Sequence, residues 1–438
     1  MSRAFQPIAV TRIESAVMTE SDRQPSTSGF RGRRAARLWP LPAAAALAII
    51  VVIASAGDAA DSVEQFVRRH WANPLAPQGL PPPTFGALES SLHPEACGTC
   101  HPVQLGDWRT SVHAGAMGPG IAGQLVEMAA ADPASPIDCH VCHAPLAEQS
   151  AVTRTRTGVA ANPTFDAALR GRGVVCAACH VRGHERFGPP RRDGSLASPV
   201  PRDRLPHRGV TRTPAFLSSE FCRGCHQFAP DGLALNGKLL QNTYEEWNAS
   251  PFARRGVQCQ DCHMPDRRHL WRGIHDKTMV RSGLDIAVTP DVRRLALGQA
   301  FVLTLQVHNA RVGHLFPTYV TPRVVLRGEL VGPDGEVVAG SRQEQVIARE
   351  VTVDVASEVF DTRLAPGQRA SFTYRGRADR SGLRARLSVV VYPDEFYTRF
   401  FEALLEQGAG RGEAQIREAL AATRRSAFTV FAREVRLD

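Results

Sequence analysis

Apolar and polar positions alternate along the C-terminal half of the chain and lose that order in its middle. Residues 301–307, 323–330, 336–339, 369–374 and 384–392 place an apolar side chain at every second position, the period of strands buried on one face. Gly332-Pro333-Asp334-Gly335 and Ala365-Pro366-Gly367 supply the turns. This pattern predicts an antiparallel β-sandwich of the immunoglobulin-like sort over 283–393. Helical periodicity comes next at 394–406 and 413–424, with a last strand at 427–436, so that 394–438 reads as two helices and a strand. Residues 90–282 are long in loops and short in helices, without aliphatic runs that could build a core. Ahead of them, 61–70 has the pattern of a short amphipathic helix. Pro74, Pro77, Pro81, Pro82 and Pro83 then mark an extended linker within 58–89. The first 30 residues are polar and aperiodic, which predicts a disordered extension over 1–37 or a start at Met18.

Every cysteine falls in the poorly patterned middle. The ten make five Cys-x-x-Cys-His pentapeptides: CGTCH (Cys97, Cys100, His101), CHVCH (Cys139, Cys142, His143), CAACH (Cys176, Cys179, His180), CRGCH (Cys222, Cys225, His226) and CQDCH (Cys259, Cys262, His263). This is the attachment signature of c-type haem, in which two thioethers fix the porphyrin and the adjacent histidine is the proximal iron ligand. Zinc sites use Cys-x-x-Cys pairs but need no histidine directly after each one. A disulfide scaffold would be far denser in cysteine, and a thioredoxin-like motif occurs singly in a βαβ setting. Five covalently bound haem c groups are therefore expected, at spacings of 42, 37, 46 and 37 residues. Five apolar macrocycles also explain the missing core of 90–282, and predict that this region does not fold without them. The expected class is α+β: a haem-organised, loop-rich, mainly α domain at 90–282 followed by the sandwich.

The N-terminus indicates where such a domain works. Arg31, Arg33, Arg34 and Arg37 precede an apolar stretch at 38–57 that contains Ala54-Ser55-Ala56, an A-x-A cleavage pattern. Pro40 and Pro42 favour a cleaved signal peptide; the basic flank and the length also allow a membrane anchor. In both readings the haem domain is exported, anchored on the periplasmic side of the cytoplasmic membrane or secreted to the periplasm. The net charge of +9 suggests an acidic partner, but +4 of it lies in residues 1–56. Each ferric bis-histidine haem brings roughly one net negative charge through its propionates. The exported protein is then close to neutral, and nucleic acid is not an expected partner. Arginines of the Pro-rich loop, among them Arg182, Arg186, Arg191, Arg192, Arg202, Arg204 and Arg208, suit propionates or a solvated surface.

Ten histidines lie outside the proximal positions: His70, His93, His113, His140, His184, His207, His269, His275, His308 and His314. They suffice to close all five irons with a second imidazole. His113 is the leading distal candidate, in a helical stretch with Trp108 available to pack on a porphyrin. His207 precedes the fourth motif, and His269 and His275 come after the fifth in HLWRGIH. His314 sits in the GHLFPT turn of the β-region, where Gly, Phe and Pro suggest a turn shaped against something apolar.

The stretches CGTCHPVQLGDWRTSVHA (97–114) and TYEEWNASPFARRGVQCQDCHMP (243–265) resemble the family of the tetrahaem cytochrome that accepts electrons from hydroxylamine oxidoreductase. The resemblance covers roughly 90–280. It implies electron transfer, mostly bis-histidine haems in close pairs, one haem sometimes five-coordinate, and a distal role for His113. A fifth motif and the β-domain depart from that family, so its ligand pairs do not transfer wholesale.

These residues support three functional readings. The first is an electron carrier, rather than an enzyme, between a quinol-linked donor and a periplasmic acceptor. The second is a reductase or oxidase of a small nitrogen or sulfur oxyanion at one open haem. A lysine-ligated catalytic haem is disfavoured, because all five motifs end in histidine and only Lys238 and Lys277 occur; Tyr319, Tyr392 and Tyr397 are available for a tyrosine link. The third is a subunit of a conductive extracellular filament, stacked through the sandwich.

Overall fold

The computed structural model describes residues 63–72, 75–377 and 379–437. The expected extension at 1–37 and the signal or anchor at 38–57 lie outside the described residues. Among the described residues, no helix is long and apolar enough to cross a membrane.

The middle region is built from short helices. α1 (Pro94–Cys100), α2 (Pro102–Arg109), α3 (Pro119–Ala131) and α4 (Pro136–His143) each open on a proline, where the missing N–H costs nothing and φ is already helical. α5 (Cys176–His180), α6 (Glu220–His226), α7 (Thr243–Asn248) and α8 (Cys259–His263) are one to two turns long. α9 (Lys277–Gly283) leads into the sandwich, capped by Asp276, whose carboxylate accepts from Met279 N at 2.7 Å. The region buries one small apolar cluster of Trp108, Leu146, Leu169, Val175, Ala177, Ala178 and Val181.

Residues 63–70 are helical, as the pattern predicts. The Pro-rich segment after this helix is a strap on the middle region rather than a free linker. Gln78 is buried, its N–H donates to Glu148 at 2.6 Å and its side-chain oxygen accepts from Gly183 N at 2.8 Å. Prolines remove donors from this segment, and the few polar groups left find partners on the domain.

The β-region comprises β1 (Leu284–Thr289), β2 (Arg294–Leu295), β3 (Ala300–Asn309), β4 (Arg323–Val331), β5 (Gln343–Ile347), β6 (Arg349–Val351), β7 (Glu358–Asp361), β8 (Arg369–Arg377), β9 (Arg384–Tyr392) and β10 (Phe428–Leu437). Strands β8-β3-β1 form one sheet and β5-β4-β9-β10-β2 the other, with β6 and β7 as a separate ribbon. All these pairs are antiparallel except β10 with β2. The core between the sheets holds Phe301, Leu303, Leu305, Val307, Phe372, Tyr374, Leu387 and Val389, the alternate positions of the sequence pattern. Gly328 on β4 is required there, because a Cβ would lie 2.4 Å from the Tyr374 ring.

Three differences from the sequence expectation stand out. Residues 336–339 form no strand and keep only an isolated bridge, Val331 to Val337. β5, β6 and β7 are short and escape the pattern, and β1 lies outside the expected strands although its residues alternate. The final strand, β10, lies inside the five-stranded sheet between β9 and β2, so the C-terminal segment completes the sandwich.

Helices α10 (Glu395–Gln407) and α11 (Glu413–Arg425) pack on α3 through Phe401, Ile416, Ala419 and Leu420. Gly123 of α3 allows this approach: a Cβ would meet Ile416 at 2.9 Å. A second clamp joins the hairpin of Ala234–Leu235 with Lys238–Leu239 to the sandwich. The buried Arg349 guanidinium donates to the carbonyls of Leu235, Lys238 and Leu239 and to Glu358 at 2.6–3.1 Å.

Candidate haem centres

Each Cys-x-x-Cys spans one helical turn, in α1, α4, α5, α6 and α8. Residues three apart on a helix share a face, so each turn presents two thiols side by side with its histidine just beyond. All ten cysteines are free of disulfides. Sulfurs of different motifs also lie close together: Cys97 beside Cys176, Cys142 beside Cys225 and Cys222 beside Cys259. The first motif thus lies beside the third, and the fourth beside both the second and the fifth.

The histidines sort by which ring nitrogen the protein engages. Nδ1 of His143, His180 and His263 bonds the carbonyls of Ala116, Phe187 and Arg272 at 2.6–2.8 Å, and Nδ1 of His226 bonds the Tyr319 hydroxyl at 2.7 Å. His207, His269 and His314 bond the carbonyls of Gly209, Arg267 and Leu315 through Nδ1 at 2.8–3.1 Å. An Nδ1–H tied in this way fixes the tautomer and aims Nε2 at a metal. His70, His93, His184 and His275 instead engage Nε2, with Cys179 O, Asp166, Gly79 O and Asp394. That nitrogen is then committed to the protein.

Three motif histidines face a second imidazole. Ring centres are 6.2 Å apart for His226 and His113, 6.1 Å for His180 and His269, and 6.4 Å for His263 and His314. Two imidazoles sharing one metal ion at ~2 Å per nitrogen bond put their centres roughly 6 Å apart. Burial pulls the His113 pKa down to about 3, and those of His180, His226 and His314 to about 4. These rings are neutral at physiological pH, the state a metal requires. Apolar surface completes the fit. A cavity of about 60 Å³ beside Cys225 is lined by Trp71, Leu75, Ala144, Leu146 and a buried His140 whose two ring nitrogens have no protein partner.

Comparison with known proteins agrees with this chemistry. The family model for cytochrome c554 and c-prime matches residues 96–181. The solved structure of a penta-heme cytochrome c552 from Thermochromatium tepidum is similar at 18% identity and a TM-score of 0.52, covering 80% of this chain and 99% of that one. The chain is a multihaem c-type cytochrome. Its haem c is held covalently. A CARDB domain from Pyrococcus furiosus matches at 12% identity and a TM-score of 0.18, over 35% of this chain and 87% of its own. No curated protein matches the cytochrome sequence.

Among the expected distal residues, His113, His269 and His314 are thus brought opposite motif histidines. His207 neighbours His101 with its Nε2 side unbonded. His275 is not brought to a motif: its ring is half-exposed and 2.9 Å from Asp394. Trp108 sits in the small apolar core with Ala177 and Ala178 of the third motif, its Nε1 donating to Val174 O at 2.8 Å. No aromatic ring faces His143 among the described residues.

Two supporting residues, Asp107 and Trp271, escaped the sequence reading, and a third, Tyr319, entered it only as available for a tyrosine link. Buried Asp107 takes Arg268 in a two-pronged bond at 2.6 and 2.7 Å and accepts His269 N at 3.0 Å. It thereby sets the segment that delivers His269. Trp271 stands edge-on to both His113, at 4.8 Å, and His269, at 5.2 Å. Tyr319 backs His226. Only the Asp107-Trp108 pair within the family-like stretch could have drawn attention; the other two depend on chain crossings that spacing does not encode.

Proposed function

We propose that this cytochrome carries five haem c groups and passes electrons along them, on the periplasmic side of the cytoplasmic membrane, anchored or secreted, between a quinol-linked donor and a periplasmic acceptor. The facing imidazole pairs carry this reading. Haem c supplies reversible one-electron chemistry at iron, and two histidine ligands leave no position for substrate. His113 with His226, His269 with His180, and His314 with His263 close three centres, and His207 is the ligand assigned to His101. The thiol contacts order the motifs as first, third, fourth and fifth, with the second branching at the fourth. Cys179 lies near both Cys222 and Cys225, which supports the step from third to fourth. The basic and apolar run at 31–57 supports export.

Electron paramagnetic resonance of the oxidised protein tests the assignment. Low-spin iron is expected at four of the five centres, and a mainly high-spin spectrum overturns the reading. His314→Ala is expected to convert one further centre to high spin; an unchanged spectrum refutes that pair.

One observation favours a second reading at the second motif. His143 is tied through Nδ1 to Ala116 O, and among the described residues no imidazole ring faces it, which supports a position there for a small nitrogen or sulfur oxyanion. Lys238 does not compete for it, being 2.7 Å from both Glu358 and Asp361. Added nitrite or sulfite is expected to perturb one high-spin signal, and a spectrum indifferent to both removes the reading.

A further inference from the structure

Every proximal histidine with a bonded Nδ1 leans on a backbone carbonyl except His226, which leans on a side chain. Its partner, Tyr319, comes from the loop between β3 and β4 that also brings His314 to His263. That loop is held firmly. Asn309 Nδ2 donates to His314 O at 3.2 Å and to Leu364 O at 2.9 Å. Buried Glu246 accepts from Leu315 N at 3.2 Å and from the Thr318 hydroxyl at 2.8 Å. Arg363 donates to Thr318 O at 2.6 Å and to Glu246 at 3.0 Å. The arrangement leaves the phenol little freedom of position.

Hydrogen bookkeeping fixes the direction of the contact. An imidazole that gives Nε2 to iron keeps its proton on Nδ1, so His226 donates and the phenol oxygen accepts. Gln241 Nε2 donates to the same oxygen at 2.9 Å and to Cys225 O at 3.2 Å. The Thr243 hydroxyl lies beside the same oxygen. An acceptor on Nδ1–H makes the imidazole a stronger electron donor to its metal. A second donor on the same phenol oxygen weakens that acceptor.

We propose that Tyr319 is a positioning residue through which the β-domain sets the reduction potential of the fourth-motif centre, with Gln241 as the opposing adjustment. The proposal rests on His226 being an iron ligand. Removing the acceptor withdraws electron density from the iron, favours the ferrous state and raises the potential. Removing the Gln241 donor does the reverse.

Potentiometric titration of the holoprotein, followed optically, tests this. Tyr319→Phe is expected to move one midpoint potential upward and leave the others in place, with all low-spin signals retained. Gln241→Leu is expected to move the same midpoint downward. A structural role alone would shift both variants in the same direction or release high-spin iron, and either result overturns the proposal. Unchanged midpoints in Tyr319→Phe also overturn it, while leaving the electron-transfer reading intact. Loss of the His226 low-spin signal in His113→Ala checks the ligand assignment separately, so the two failures are distinguishable.

Discussion

The sandwich and the haem region solve the same problem with different materials. The sandwich buries 24 side chains in one apolar cluster, most of them from strands whose register places alternate residues between the sheets. The haem region, of comparable length, buries seven in its own cluster, two of them alanines. Burial of apolar area at about 25 cal/mol per Å² is what offsets chain entropy in an ordinary domain. By that measure the haem region is far short of a core, and its histidines and cysteines mark where the rest comes from. One region therefore has an apolar core of its own residues, whereas the other has little apolar material of its own. They are not independent, however: the loop after β3 and the clamp at Arg349 tie the sandwich to the fourth and fifth motifs.

The largest break in this comparison comes from withholding haem. In a host unable to attach it, limited proteolysis is expected to cut throughout 90–282 and spare 284–437, with a β-type circular dichroism spectrum that still melts cooperatively. A protease-resistant, helical haem region without haem would end the contrast. Next in size is Leu387→Ala, a fully buried side chain of β9. It is expected to cost ~2–5 kcal/mol in denaturant unfolding of the sandwich, with the low-spin haem spectrum unchanged below that transition. Asp107→Asn works on the other side of the comparison. It removes the charged half of a two-pronged bond to Arg268 and is expected to cost about 1–3 kcal/mol. The readout is early loss of one low-spin signal in urea, from the centre of His180 and His269.

The smallest effect is one of pH and sits at the joint. Burial works against ionisation of Asp361, but hydrogen bonds from Arg363 and Lys238 outweigh it and hold the carboxyl below its usual range. A carboxyl with a depressed folded pKa stabilises the protein above its unfolded value, about 3.9, and loses that contribution as pH falls. Melting temperature is therefore expected to drop below about pH 4, and Asp361→Asn to flatten that part of the profile. An identical acid profile in the variant would place the sensitivity elsewhere.

Legibility in the sequence divided along the same line. Alternation found the long strands β3, β4, β8, β9 and β10 because each has one face in the core. It missed β6 and β7, a ribbon held by Arg349, Glu358 and Lys238 rather than by an apolar stripe. The ten cysteines and five motif histidines were readable as candidates because their spacing is local chemistry on one helical turn. Distal ligands were harder. His113 and His269 are flanked by recognisable helix and motif contexts, and His314 lies in an unusual turn, yet His275 has the same credentials as His269. Which of the two faces His180 is decided by Asp107, 162 residues before His269.

By itself the sequence determined that this chain attaches haem c, that it carries five local Cys-x-x-Cys-His motifs in a region poor in aliphatic runs, and that a sandwich comes after them. Each of those properties depends on residues within a few positions of one another or on a repeating period. Tertiary structure alone decided which imidazole meets which motif, that His143 meets none, and that the β-domain reaches back with His314 and Tyr319. Those contacts join residues far apart in the chain, and their geometry arises from how helices, strap and sandwich pack, which no local pattern specifies.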